Sequence, residues 1–300
     1  MKLTRSSDVI EYKGGICMKR LQRIMLTLCM AFLFMAAFSY RTDAAANKKE
    51  SIINLKTEVT YTKYDVTGDQ KADKILIQKT EKVDEYYYGG LSIFINDKLA
   101  YRFKNNDYSM VEAKLCTLKN GAPYLYLYTP CDDYAGRTCG IYRYQNGKLL
   151  RKVNFQTLYK DGSHQYGDVT SIKGNTIKTK SYVMSWIMGP MNYSYSYQYD
   201  KGNLVRTSKI GMVKVETEKY EKNGYYTTKQ NLNLYRYAAS TKRMAVLKKG
   251  TKVKITKCYV NGKTIRIYVT STSGKQKGWI VSPKDGSSGN GYFMESFYAG

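Results

Sequence analysis

The chain has 300 residues, enough for one or two domains, and its 49 Lys and Arg against 24 Asp and Glu give a formal charge of +25. A field this positive points to a polyanionic partner such as nucleic acid, anionic lipid or an anionic cell-wall polymer. With 31 Tyr, 24 Gly and a single His, the composition favours strands and turns over helices and excludes a histidine-rich zinc cluster. We therefore predict an all-β fold.

The first element along the chain is a secretory signal within residues 18–46. A short positive segment precedes a nearly unbroken apolar run over residues 24–40, and small residues suited to cleavage follow it. Residues 1–17 carry no such pattern, so Met18 is a possible true start. We assign residues 1–46 to a signal-peptide region. Because the run is slightly short for a bilayer span of about 20 residues, we expect the membrane to be a partner only if the signal stays uncleaved.

Export narrows the partners of this basic chain. Without residues 1–46, 42 basic and 21 acidic residues remain, so the positive charge belongs to the mature protein. We expect a secreted or cell-surface protein, for which anionic lipid and an anionic cell-wall polymer stay candidate partners. Nucleic acid is not expected as a partner.

After a short linker over residues 47–51, residues 52–216 form a series of predicted short strands. Alternating runs are separated by turns such as Asn146-Gly147, which predict hairpins. A unit of strand, polar turn and leucine recurs at a spacing of about 50 residues, the size of one four-stranded sheet in repeat arrays. The three copies end at Leu99, Leu149 and Leu204. A partial propeller-like array and a β-sandwich both remain open.

Within this β-repeat domain, residues 65–73 have the spacing of a cation-binding loop. Oxygen-bearing side chains occupy alternate positions, and Gly68 permits a sharp turn. Ca²⁺ prefers about six to eight oxygen ligands in a flexible shell. The predicted ligands are Asp65, Thr67, Asp69, the carbonyl of Lys71, and Asp73. The same composition also suits an Asx-rich turn that holds no metal.

The loop resembles the calcium loops of FG-GAP and VCBS repeats in secreted bacterial proteins. Thr67 stands where those loops usually have Asp or Asn, and Gln70 stands where Gly is common. The resemblance implies a structural Ca²⁺ ion that stabilises the β scaffold. Ligand binding is expected elsewhere in the chain.

Two cysteines flank a polar stretch between strand-like runs. Cys131 and Cys139 would lie at facing ends of a hairpin, where a disulfide could close the loop in an oxidising compartment. Two free thiols are the alternative, since the distance between the Cα atoms decides whether a bridge can form.

Two strands are unusually rich in tyrosine. Residues 124–128 alternate strictly between Tyr and Leu, which predicts a half-buried strand. In residues 186–199, Tyr occupies alternate positions, which suits either a stacking platform for sugars or the solvent-side face of a strand with cross-strand Tyr pairs. We favour the second interpretation, because the chain uses Tyr throughout its strands. The first would make the N-terminal domain a glycan-binding module.

Residues 217–224 are rich in charge and are assigned to a linker, which a last domain over residues 225–300 follows. Three of its motifs resemble a bacterial SH3-like (SH3b) domain. They are an opening strand at 231–235, the pattern Leu-x-x-Gly-x-x-Val-x-Ile at 247–255, and Gly-Trp-Ile at 278–280.

The resemblance implies a small SH3-like barrel that often binds peptidoglycan or its cross-bridge peptides. It implies ligand-binding roles for Tyr235, Arg236 and Trp279, with Tyr235-Arg236 standing where the family usually has Arg. Judged from the residues alone, Trp279 suits either a core anchor or a groove, and we favour the core. Nine lysines make the outside basic, as a solvated face or as a footprint for teichoic-type polymers. They are Lys242, Lys248, Lys249, Lys252, Lys254, Lys257, Lys263, Lys275 and Lys277.

An enzyme would have to use the single imidazole, His164. The rival hypothesis is a cell-wall hydrolase in which His164 activates Cys116 or Cys131, as thiol catalysis requires a neighbouring base. Neither cysteine has the sequence context of such hydrolases. We therefore predict a non-enzymatic protein whose SH3b-like module binds peptidoglycan or an anionic wall polymer.

Overall fold

The computed structural model describes residues 50–104, 107–130, 138–158, 165–214, 222–262, 264–282 and 291–296. The predicted signal-peptide region lies outside them. Within those ranges, no helix has the length and apolar character needed to cross a membrane. The described secondary structure consists of β-strands and a short 3-10 turn at Phe155–Thr157, so the all-β prediction is confirmed.

The strands are numbered in chain order. They are β1 (Ser51–Leu55), β2 (Thr60–Tyr64), β3 (Asp73–Lys82), β4 (Tyr88–Ile95), β5 (Lys98–Phe103), β6 (Glu112–Thr117), β7 (Pro123–Thr129), β8 (Thr138–Gln145), β9 (Lys148–Asn154), β10 (Tyr166–Lys173), β11 (Thr176–Ser185), β12 (Gly189–Asp200), β13 (Asn203–Arg206), β14 (Ile210–Lys214), β15 (Tyr226–Thr227), β16 (Leu232–Tyr235), β17 (Arg243–Leu247), β18 (Lys252–Val260), β19 (Ile265–Ser271) and β20 (Lys277–Val281).

These strands form three antiparallel sheets. The first has the order β2-β3-β4-β5, and the second has the order β1-β6-β7-β8-β9. The third has 11 strands along the path β10-β11-β12-β14-β18-β19-β20-β16-β17, with β13 beside β12 and β15 beside β18. The described strands do not close into a barrel.

The predicted repeat corresponds to the last hairpin of three successive strand groups, β2–β5, β6–β9 and β10–β13. Each hairpin turns through two residues with left-handed backbone, which matches the right-handed twist of the flanking strands. The turns are Asn96-Asp97 with φ of 51° and 62°, Asn146-Gly147 with 50° and 81°, and Lys201-Gly202 with 44° and 89°.

The second sheet is the middle layer of the core. Leu125 and Leu127 of β7 pack in a cluster with Ile75 and Ile93 of the first sheet. On the opposite face, the β7 tyrosines join a cluster that extends into the third sheet. The prediction of a half-buried strand is therefore wrong for β7, which is buried throughout, because a second sheet covers its tyrosine face.

The tyrosines of β12 also lie in the core. Tyr193, Tyr195 and Tyr197 are at most 4% exposed and belong to the cluster beneath the third sheet. The favoured interpretation of a solvent-side tyrosine face is wrong at these positions, and buried rings do not offer a stacking platform for sugars. The outward positions of β12 carry polar residues such as Ser194 and Gln198 instead.

The third sheet continues from the repeat strands into the C-terminal strands. Ile210, Gly211 and Met212 of β14 pair with Tyr259, Cys258 and Lys257 of β18. The predicted linker lies between them in sequence, and its residues 217–221 are outside the described part of the chain. The two predicted domains thus share one sheet surface.

The hydroxyl groups of two buried tyrosines differ in their hydrogen bonds, so we expect Tyr→Phe to change the free energy of unfolding in opposite directions at the two positions. The hydroxyl of Tyr126 donates to the Gly167 carbonyl at 2.7 Å, whereas the buried hydroxyl of Tyr193 has no hydrogen-bond partner among the described residues. Tyr126→Phe should therefore lower the free energy of unfolding by about 1 kcal/mol, and Tyr193→Phe should raise it by up to about 1 kcal/mol. Chemical denaturation of the two variants measures both, and changes of the same sign would contradict this assignment.

Candidate functional site

Residues 65–73 fold into a loop closed by hydrogen bonds from backbone N–H groups to its own carboxylates. The carboxylate of Asp65 accepts the N–H groups of Gly68 and of Gln70, the latter at 2.8 Å. That of Asp69 accepts the N–H of Lys71 at 2.9 Å. Gln70 has a left-handed φ of 73°, a backbone conformation that Gly adopts at lower cost than other residues.

Asp73 is the buried anchor of the loop, with 2% of its surface exposed. One carboxylate oxygen accepts the N–H groups of Val66 and Thr67 at 2.8 and 2.9 Å, and the other accepts the Asn96 side-chain amide at 2.7 Å. Burial by itself raises the pKa of Asp73, but the hydrogen bonds from Asn96, Thr67 and Val66 outweigh it and hold the pKa below its ordinary value. These contacts tie the loop to the β4–β5 turn.

The carboxylates of Asp65 and Asp69 accept backbone N–H groups, and each carboxylate retains capacity for a further contact. In the part of the chain that the structure describes, no three acidic, Cys or His side chains converge on a common point. Calcium binding by Asp65, Thr67, Asp69, Lys71 and Asp73 therefore stays a prediction.

Calcium titration tests this prediction. If the loop binds Ca²⁺ in the folded state only, the melting temperature should rise with calcium concentration, and Asp69→Ala should abolish the rise. Magnesium at equal ionic strength is the control, because it demands a stricter octahedral geometry. A melting temperature independent of calcium would show that the backbone N–H groups alone balance the charge of the loop.

A second candidate site is an aromatic row on the outward face of the C-terminal strands. Trp279 of β20 pairs in register with Tyr268 of β19 and with Tyr235 of β16. The rings of Tyr268 and Trp279 meet edge to face, with centroids 5.3 Å apart. The structure thus brings together two of the three residues that the SH3b resemblance implies. Arg236 follows directly after the end of β16 and is exposed.

Two cations lie over this row. The guanidinium of Arg266 is 5.5 Å from the centre of the Tyr235 ring, and the ammonium of Lys257 is 5.5 Å from the centre of the Tyr268 ring. Both distances are within the range in which a cation is attracted to an aromatic face. We name Tyr235, Trp279, Tyr268, Arg266 and Lys257 the aromatic–basic row.

Access differs along the aromatic–basic row. Trp279 is 5% exposed, while Tyr235, Tyr268 and Arg266 are half-buried and Lys257 is exposed. A ligand would therefore touch the tyrosines and cations, and the tryptophan would hold the tyrosines in place. Tyr268 and Arg266 were missed at the sequence level, although they alternate with the buried Ile265, Ile267 and Val269 of β19.

The basic residues of the C-terminal region greatly outnumber its acidic residues. Residues 225–300 contain 14 Lys and Arg, whereas Asp285 and Glu295 are the only acidic residues. Glu295 is 9% exposed, and its carboxylate accepts hydrogen bonds from the N–H and hydroxyl of Thr227. Asp285 lies outside the described residues. Eight described lysines of this region, Lys242, Lys248, Lys249, Lys252, Lys254, Lys257, Lys275 and Lys277, are exposed.

The structure does not support Cys116 as a nucleophile. Its side chain is fully buried in the second sheet, and burial raises the pKa of the thiol to about 12, so the reactive thiolate is not formed at neutral pH. Cys131 and His164, which the hydrolase hypothesis also needs, lie outside the described residues.

Cys139 is buried, and its sulfur contacts Gly167. Its sulfur accepts the Gly167 N–H at 3.2 Å and lies at the same distance from the Gly167 carbonyl oxygen. Because Cys131 is not among the described residues, the disulfide between Cys131 and Cys139 stays a prediction.

Comparison with protein-family models, with curated proteins and with solved structures found no match to this chain. The resemblances to SH3b domains and to calcium-loop repeats therefore stay predictions.

Proposed function

We propose that this protein is an exported, cell-wall-associated binding protein, whose C-terminal strands bind peptidoglycan or an anionic wall polymer through the aromatic–basic row. The observation that carries the proposal is a pair of cations over half-buried tyrosines, the exposed Lys257 and the half-buried Arg266, in a region with 14 basic and two acidic residues. The predicted signal-peptide region supports export, and export makes a wall polymer the polyanion that this surface meets.

The surface suits a polymer better than a small anion. Exposed lysines are spread over neighbouring strands, including Lys252 and Lys254 of β18 and Lys277 of β20. Each contributes little to affinity alone, but a repeating polyanion can contact many at once and is steered to them over long range. Tyrosine faces add contacts with C–H groups and amides of the wall material, which charge alone does not supply.

Charge reversal at the row tests the proposal. We expect Lys257→Glu to weaken binding to purified cell walls about tenfold at moderate salt, because it removes one cation of the row and adds an anion beside Tyr268. Binding is measured by co-sedimentation of the chain without its signal region. Raising the salt concentration should reduce wild-type binding.

Lys148→Glu is the matched control, since Lys148 is an exposed lysine at the start of β9 in the second sheet. Both variants change the net charge equally, so equal losses would indicate non-specific attraction and count against the row. Absence of wild-type co-sedimentation at low salt would overturn the proposed function itself.

A further inference from the structure

The outward face of the third sheet continues beyond the C-terminal strands. Residues that pair directly across antiparallel strands point to the same face of a sheet. Starting from the aromatic–basic row, Lys257 pairs with Met212 of β14, Met212 pairs with Ser194 of β12, and Ser194 pairs with Lys180 of β11. One line of side chains therefore runs from the repeat strands to Trp279.

A groove lies along this line beside β12 and β14, with a volume of about 460 Å³. Five residues with hydroxyl groups line it from the outward face. They are Thr170, Ser194, Ser196, Thr207 and Ser208. The hydroxyls of Thr170 and Thr207 donate to the carbonyls of Lys178 and Ser196, which leaves their oxygens available as acceptors.

The groove also has an apolar side. Met212 is 56% exposed and Ile210 is 40% exposed, and both line the groove from β14. Exposed large apolar residues on an otherwise polar sheet face provide a contact for C–H groups. A polyol or sugar presents C–H groups and hydroxyls together, so it matches both sides of this groove.

Lysine side chains lie in the groove and on either side of it. Lys178 lines the groove itself, Lys180 is exposed next to Ser194, and Lys257 is exposed next to Met212. The acidic neighbour on this face is Asp168, which is opposite Lys180 in register and forms an ion pair with Lys114. Among the described residues, the charge of Asp168 is therefore compensated by Lys114.

We propose that this groove, which we name the hydroxyl groove, binds the polyol units of a polyol–phosphate polymer. Its phosphates contact Lys178 and Lys257. The proposal rests on the proposed function and specifies its ligand, because it extends the wall-binding face from the C-terminal strands onto the repeat strands. An unsubstituted polyphosphate would use only the cations, and an uncharged glycan would use only the hydroxyls and apolar side.

The test fills the groove without changing its charge. Ser194→Trp places a large ring at an exposed groove position of β12, and Thr62→Trp is the control at an exposed position of β2 in the first sheet. Binding of the chain without its signal region to soluble poly(glycerol phosphate) and to inorganic polyphosphate is measured by calorimetry. Circular dichroism and thermal melting verify that both variants fold.

We expect Ser194→Trp to weaken binding of poly(glycerol phosphate) about tenfold and to leave polyphosphate binding unchanged, with no effect of Thr62→Trp on either. Equal binding of poly(glycerol phosphate) by wild type and Ser194→Trp would overturn the hydroxyl groove. So would a parallel loss for both polymers, which would show a general disturbance of the face.

The experiments distinguish an error in the groove proposal from an error in the proposed wall-binding function. If the groove proposal alone is wrong, Ser194→Trp binds both poly(glycerol phosphate) and purified walls like wild type, while Lys257→Glu is still impaired on walls. If the proposed function is wrong, the wild-type chain does not co-sediment with walls at all.

Discussion

Replacing Asp73 with Asn is expected to lower the free energy of unfolding by about 3 kcal/mol, because both carboxylate oxygens accept hydrogen bonds in a buried setting. An Asn side chain keeps one acceptor and turns the other into an NH₂ donor. That donor must face either the N–H groups of Val66 and Thr67 or the amide of Asn96. Two hydrogen-bond donors then face each other on one side of the replaced side chain, and neither has an acceptor there.

Chemical denaturation at neutral pH measures the loss, and Asp69→Asn is the matched control in the same loop. The Asp69 carboxylate is exposed and accepts one backbone N–H, from Lys71. Its replacement should cost less than about 1 kcal/mol. Comparable losses for the two variants would show that burial of Asp73 is not what anchors the loop.

The pH dependence of stability follows from the same geometry. Because the pKa of Asp73 is lower in the folded protein than its ordinary value of 3.8, the folded state favours the charged carboxylate. This contribution is complete above the ordinary value and is lost as the pH falls through the lower, folded-state value. The stability difference between wild type and Asp73→Asn should therefore be constant near neutrality and shrink only in strong acid.

The local features of the fold were predictable because they depend on short stretches of sequence. Asn146-Gly147 forms the expected hairpin, and the alternation of β19 places Ile265 and Ile267 inside. The Asp65–Gly68 segment forms a turn stabilised by side-chain oxygens, as its composition indicates. Each of these outcomes is set by backbone preference or by period-two alternation.

The arrangement of the sheets was not predictable, because it depends on contacts between distant strands. Nothing in the Tyr-Leu alternation of β7 shows that a further sheet covers its tyrosine face. The pairing of Met212 with Lys257 joins β14 to β18 across the predicted linker, and that register creates the continuous outer face. Tyr268 gains its place in the candidate site only through this kind of cross-strand register.

Gly140 of β8 is a further position whose environment the sequence did not show, and its substitution is expected to cause a large loss of stability. A glycine inside a strand often marks a close approach of another chain segment, but the sequence does not show which one. A Cβ atom at Gly140 would lie 2.5 Å from the Val153 carbonyl oxygen and 3.0 Å from Cδ of Arg151. Gly140→Ala should therefore lower the free energy of unfolding by about 3 kcal/mol, because the first of these neighbours is backbone in the paired strand β9.

Gly89→Ala is the control for this prediction, because a Cβ atom there would meet its nearest neighbour, the Glu81 carbonyl oxygen, at an ordinary 3.4 Å. Its expected change is within about 1 kcal/mol. Denaturation of both variants, with wild type alongside, separates a steric effect at β8 from a general cost of placing alanine in a strand. If the two variants lose equal stability, the close approach of β9 to Gly140 is not the cause, and the loss reflects the cost of replacing glycine in a strand.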